Sequence, residues 1–172
     1  MTAETGRAPV WRMLAVFLAI AAAVLFCDLA TKWAAFKYLD PDLRYPVIPG
    51  LFNLTRSENT GAVFGIGKGQ REFFIVFSFA ALIGISWAQW AHGRSSLLLT
   101  CGLGLLAGGA LGNLYDRIAF GKVRDFIDVY WGEWHWPTFN VADTAIVVGC
   151  GLLLLYSLRM PPKGKAASSS RS

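Results

Sequence analysis

LLLTCGLGLLAGGALGNLYDR, residues 97 to 117, runs apolar from Leu97 to Leu114 and then breaks into Tyr115-Asp116-Arg117. A stretch of about 20 apolar residues crosses a hydrocarbon core of about 30 Å as a helix. Gly104, Gly108 and Gly112 stand at four-residue spacing, a stripe of small residues that lets a second membrane helix approach closely. Outward from this stretch, three more segments meet the same criterion: Met13 to Ala35, Phe73 to Ala91 and Val141 to Leu158. The composition agrees. Of 172 residues 55% are apolar and 16% charged, with a mean hydropathy of +0.45, where a soluble domain has about 45–50% and about 25%. That balance excludes a disordered or collagen-like chain. A net charge of +5 invites nucleic acid, but no dense Lys/Arg run with interleaved aromatics supports it. Cys27, Cys101 and Cys150 lie in apolar runs without CxxC or Cys/His metal-ligand spacing, so they read as reduced, buried packing residues and imply no metal.

Four spans put both termini on one side. Arg7 and Arg12 before the first run resemble the start of a signal peptide, but the run continues into Asp28 and Lys32, which favours a retained span. Trp11, Trp33, Trp87, Trp90, Trp131, Trp134 and Trp136 fall at span ends, at headgroup level. Basic residues are densest in the short termini and the turn at Arg94, which predicts cytoplasmic termini and extracytoplasmic loops at 37–71 and 118–139. In the first loop, apolar runs at Leu51–Leu54 and Ala62–Phe64, separated by Ser57-Glu58-Asn59-Thr60-Gly61, predict two short strands and a turn. The second mixes Phe126, Ile127, Val129 and Tyr130 with Asp125, Asp128 and Glu133, which suits a short interfacial helix. Residues 1–162 then form one integral membrane domain and residues 163–172 a disordered cytoplasmic tail. There is no internal repeat, and the sequon at Asn53-Leu54-Thr55 is of a kind common by chance.

Ionisable groups inside a span cost about 2.5–3.5 kcal/mol each at the helix centre, so each demands a reason. Asp28, Thr31 and Lys32 share one helix face, where Asp28 and Lys32 can pair across a turn. Asn113, Asp116 and Arg117 share a face at the end of the third span; Arg117 suits a helix C-terminus, and Asp116, which the dipole does not help, needs Arg117 as its partner. Asn140 fits the N-cap of the fourth span with Asp143 at N3. The third span ends and the fourth begins on the same outer face, with Asp125 on the loop between them. Two carboxylates a few Å apart share a proton, one serving as base and one as acid. Such a pair can activate water for attack on a peptide carbonyl without a metal or cofactor. Other hydrolytic chemistry is poorly stocked: the sequence offers His92 and His135 no obvious carboxylate or serine with which to form a catalytic pair, and neither HExxH nor G-x-S-x-G occurs. Asp143 could pair with Asp116 or with Asp125. The competing class is a small transporter using intramembrane carboxylates, against which stand the absence of an inverted repeat and the gathering of acids at one face.

Five motifs in order resemble the prolipoprotein signal peptidase (signal peptidase II) family: Asp28-Leu29-Ala30-Thr31-Lys32, Asn59-Thr60-Gly61-Ala62-Val63-Phe64, Gly108 through Arg117, Val123-Arg124-Asp125-Phe126-Ile127-Asp128, and Phe139-Asn140-Val141-Ala142-Asp143. The resemblance covers nearly the whole chain. It implies an aspartic endopeptidase of the bacterial inner membrane that removes signal peptides from prolipoproteins, cutting before a diacylglyceryl-modified cysteine. By the same resemblance the catalytic pair is Asp125 and Asp143, with Asn113, Asp116, Arg117 and Asn140 as supporting groups and Asp28, Lys32, Asn59 and Gly61 facing substrate. The first outer loop would form a β-sheet platform and the second a lid. The partners expected are lipidated precursors and membrane lipids, with no nucleic acid, and the protein is expected to be a monomer. The fold class expected is an all-α polytopic membrane protein with four transmembrane helices, a small extracytoplasmic β-sheet and a short interfacial helix.

Overall fold

Each long apolar run becomes a helix, because a chain in lipid must satisfy its backbone polar groups within the segment itself. The computed structural model describes residues 9–61, 70–93 and 96–159. Its helices are α1 (Val10–Tyr38), α2 (Arg71–His92), α3 (Leu97–Phe120) and α4 (Val141–Arg159), all long and apolar enough to cross a membrane. The most apolar window of α3 is 61% buried inside the protein, against 17%, 6% and 17% for α1, α2 and α4. Thus α3 is the central post, and the others spread apolar side chains outward, as lipid allows. The glycines of α3 make this possible on two faces. A Cβ on Gly108 would lie 2.6 Å from Val24 Cβ and 2.7 Å from the Ala21 carbonyl of α1. One on Gly109 would lie 2.5 Å from the Ala142 carbonyl of α4.

Between the helices lie β1 (Tyr45–Ile48), β2 (Phe52–Asn59), β3 (Val123–Trp131) and β4 (Trp134–His135). They form an antiparallel sheet in the order β1-β2-β3-β4. The sheet caps the end of the bundle where α3 stops and α4 starts. Asp125 of β3 stands opposite Ser57 of β2, and Val123 opposite Asn59. The left-handed Gly121, at φ +76°, closes α3 and turns the chain into β3.

The second loop therefore departs from expectation. No interfacial helix forms in 118–139: α3 runs on to Phe120, and the rest pairs as β3 and β4. The reason is that β3 has partners on both edges, and Phe139 closes a further bridge to Ile127. In the first loop Ser57, Glu58 and Asn59 belong to β2 and not to a turn, a bulge between Leu54 and Ser57 resetting the register. The strand expected at Ala62–Phe64 and the tail at 163–172 lie outside the described residues. Cys27 and Cys150 are exposed and Cys101 half-buried; they are free thiols on the lipid side of the helices, not core residues. Trp11, Trp33, Trp87, Trp90, Trp131, Trp134 and Trp136 are all exposed, as an interfacial belt requires.

Candidate active site

Asp28, Lys32 and Asp116 are fully buried, and burial of three charges demands partners. Lys32 Nζ lies 2.8 Å from Asp28 Oδ2 and 3.3 Å from Asp116 Oδ2. Gly112 makes room for this cluster, since a Cβ there would fall on the Asp28 carboxylate. Asp28 Oδ1 also accepts the backbone N–H of Ala142 at 2.9 Å, tying α1 to the start of α4. Asp116 Oδ1 receives the Arg124 guanidinium at 2.7 Å, and Asp116 Oδ2 the Arg124 backbone N–H at 2.9 Å. The cation that Asp116 needs is thus supplied by Lys32 and Arg124. Arg117 instead donates to the carbonyls of Asn113 and Gly61, both at 3.3 Å, and lies over the Phe74 ring. Its charge faces Asp143, Asp125 and Asp116.

Above this cluster, two asparagines carry the remaining acids. Asn140 caps α4: its Oδ1 accepts the Asp143 N–H at 2.9 Å, and Asp143 Oδ2 accepts the Asn140 N–H at 3.3 Å. This is a reciprocal cap. The other oxygen, Asp143 Oδ1, accepts from Asn113 Nδ2 at 2.7 Å, and Asn140 Nδ2 donates to Asp125 Oδ1 at 2.6 Å. Asp125 is 1% exposed. Burial, with the charge of Asp143 added, pushes its carboxyl up from 3.8 to about 7, against hydrogen bonds from Asn140 and Asn59 and the charge of Lys32. Asp143 is half-buried at a helix N-terminus, where negative charge is favourable. The two acids thus occupy unlike environments, one suited to a proton and the other to charge.

Both acids open onto a cavity of about 820 Å³. Its polar end carries Asn59, Gly61, Asn113 and Arg117 beside them, while its walls are apolar, with Phe73, Phe77 and Ile85 from α2 and Ile146 and Val147 from α4. Among the described residues no group of three or more His, Cys, Asp or Glu is arranged to hold a metal ion.

The ten residues singled out from sequence fall in one connected region, but in two tiers. Asp125, Asp143, Asn113, Arg117, Asn59 and Gly61 line the cavity; Asp28, Lys32 and Asp116 are sealed behind it and do not face a substrate, and Asn140 is buried between the tiers. Asp116 has both oxygens engaged by cations and the β3 backbone, whereas Asp125 and Asp143 both line the cavity. Three contributors escaped the sequence. Arg124 pairs with Asp116, its only signal being a cation beside Asp125. Arg71 donates to the carbonyls of Arg117 and Ile118 at 2.8 and 3.0 Å, holding α2 to the end of α3. His135 does have a carboxylate partner, Asp128 Oδ1 at 2.7 Å. Burial pushes the Asp128 carboxyl up, but hydrogen bonds from His135 and Asn53 outweigh it and hold it below 3.8.

The chain matches the family model described as signal peptidase (SPase) II over residues 20–159. It is 43% identical over 156 residues to the lipoprotein signal peptidase of Solibacter usitatus, covering 88% of this chain and 94% of that one. To the lipoprotein signal peptidase of Symbiobacterium thermophilum it is 41% identical over 154 residues, covering 90% and 100%. Two solved structures, each described as a bacterial membrane enzyme determined by the in meso method, at 2.3 Å and 1.9 Å resolution, share the fold. Their TM-scores are 0.78 and 0.76 at 29% and 31% identity, over 87% and 84% of this chain and 94% of each of theirs.

Proposed function

The chain belongs to the signal peptidase II family, and on that premise we propose that it is an aspartic endopeptidase that removes signal peptides from prolipoproteins. Cleavage falls before a cysteine already carrying diacylglyceryl, by water activated between Asp125 and Asp143. The observation that carries this reading is the pair itself: two carboxylates, each held by its own asparagine amide, at the polar end of a cavity whose walls are apolar.

Asp143, accepting from Asn113 and the Asn140 backbone, takes a proton from the water as it attacks the scissile carbonyl. Asp125, whose value raised to about 7 leaves it partly protonated at neutral pH, gives its proton to the carbonyl oxygen. The pair then returns a proton to the leaving amine. Arg117, at the cavity's polar end, orients the peptide backbone by its guanidinium donors. The apolar walls receive the signal-peptide helix and the acyl chains, which stay in lipid while the scissile bond reaches the sheet-capped end. That end faces outward across a bacterial inner membrane, both termini lie in the cytoplasm, and the enzyme works as a monomer among membrane lipids.

The test is cleavage by the purified, detergent-solubilised wild type of a diacylglyceryl-modified precursor and of its unmodified form. Cleavage of the lipidated form alone, with a new N-terminal lipidated cysteine identified by mass spectrometry, supports the reading. A folded protein that cuts neither overturns it.

A further inference from the structure

Asn113 has a feature that the two-carboxylate scheme leaves unused. Its amide has one donor end and one acceptor end, of nearly the same shape, and nothing intrinsic fixes which way it points. Here Oδ1 faces Lys32 Nζ at 3.1 Å and Asn140 Nδ2 at 3.3 Å, while Nδ2 faces Asp143 Oδ1 at 2.7 Å. An ammonium carries only donors, so with Lys32 in place only Oδ1 can turn toward α1, and Asp143 is always offered an N–H. Asn140 is fixed likewise, because its Oδ1 must accept the Asp143 backbone N–H.

Resting on the reading above, we propose that Lys32 is a positioning residue: acting through Asn113, it dictates that Asp143 and not Asp125 serves as the base. Lys32 is fully buried and lies behind the cavity, so it touches neither water nor substrate there. It transmits a polarity. Without Lys32 the Asn113 oxygen would keep only the longer, neutral bond from Asn140 at 3.3 Å; an amide that turned would aim its oxygen at Asp143, which would then gain by holding a proton, and the acid and base roles would blur. The charges around the pair come from every side: Asp28 and Lys32 on α1, Asp116 and Arg117 on α3, and Arg124 on β3 beside Asp125. Lys32 and Arg124 together balance Asp28 and Asp116, so the cluster as a whole adds little net field, and the directional effect passes through the amide.

The experiment is the pH–rate profile of cleavage of the lipidated precursor by the full-length protein in detergent. Lys32→Met alone would leave the buried Asp28 without its cation, while Asp116 keeps Arg124, so it is paired with Asp28→Asn, whose side-chain oxygen still accepts from Ala142. In the folded double variant kcat falls by about tenfold or more with KM changed less than about twofold. The acid limb moves up by about one pH unit, since the base now ionises only at higher pH. Asn113→Leu, which keeps the Lys32 ion pairs, gives the same limb shift, and combining it with the double variant adds no further shift. A folded double variant with wild-type kcat and limb overturns the proposal, and so does additivity; if the double variant does not fold, an unmoved limb in Asn113→Leu overturns it alone. Wild type failing to cut the lipidated precursor would instead refute the peptidase reading, a separate outcome.

Discussion

Replacing Asp125 by Asn removes the proposed acid and, by the same physics, stabilises the protein. A carboxyl raised from 3.8 to about 7 by the fold binds its proton more tightly folded than unfolded. Its presence therefore costs no stability below pH 3.8, a growing amount between 3.8 and about 7, and a constant amount above. At about 1.4 kcal/mol per pH unit, the burden is about 1–2 kcal/mol at pH 5 and about 4 kcal/mol at pH 8. Asparagine has the same shape, keeps an oxygen for the Asn140 amide and sets no charge against Asp143. Asp125→Asn should thus gain about 2–3 kcal/mol more at pH 8 than at pH 5 relative to wild type. That difference cancels any pH-independent effect of the substitution. The assay is denaturant unfolding in detergent followed by tryptophan fluorescence at the two pH values. A stability difference between variant and wild type that is flat across that range would refute the reasoning about Asp125.

Gly109→Ala places a methyl 2.5 Å from the Ala142 carbonyl, which must move; the expected loss is about 1–3 kcal/mol, with cleavage reduced because Asp143 is the next residue, whereas Gly151→Ala, which meets nothing within 4 Å, should leave both unfolding and turnover unchanged. Arg124→Gln strips the buried Asp116 of a cation at 2.7 Å and should cost about 3–5 kcal/mol in the same unfolding assay, while Lys122→Gln, breaking the exposed pair with Glu58, should cost under about 1 kcal/mol. Chelation with EDTA should leave the cleavage rate intact, and a loss that added zinc restores would contradict water activation by two carboxylates.

The helices were legible because hydropathy in lipid is a one-dimensional property, read from a window without knowing any neighbour. The glycine stripe announced close approach, and the Asn140/Asp143 cap was visible in four consecutive residues. The sheet was not. Along β3 the burial does not alternate, because Phe126 and Asp128 are buried as well as Val123 and Asp125, so the period-two signal of a half-buried strand is missing. Along β2 the polar run Thr55-Arg56-Ser57-Glu58 imitates a loop, yet Ser57 and Glu58 pair with Asp125 and Arg124 of β3, and Glu58 meets Lys122 across the sheet. In the site, sequence placed the acids at one end of the bundle but not their partners. Asp116 next to Arg117 suggested an adjacent pair; the structure joins Asp116 to Lys32, 84 positions back, and to Arg124 instead. The family resemblance selected Asp125 where helix geometry left Asp116 open, and the engagement of both Asp116 oxygens gives that selection a physical reason.

The most direct test of the central claim is single-turnover cleavage of the lipidated precursor by Asp116→Asn, Asp125→Asn and Asp143→Asn, each at matched folded fraction. The account predicts that Asp125→Asn and Asp143→Asn each lose about 10⁴-fold or more, that the double variant is no worse than either, and that Asp116→Asn retains measurable turnover. Turnover near the wild-type rate in folded Asp125→Asn, with Asp116→Asn inactive, would contradict it.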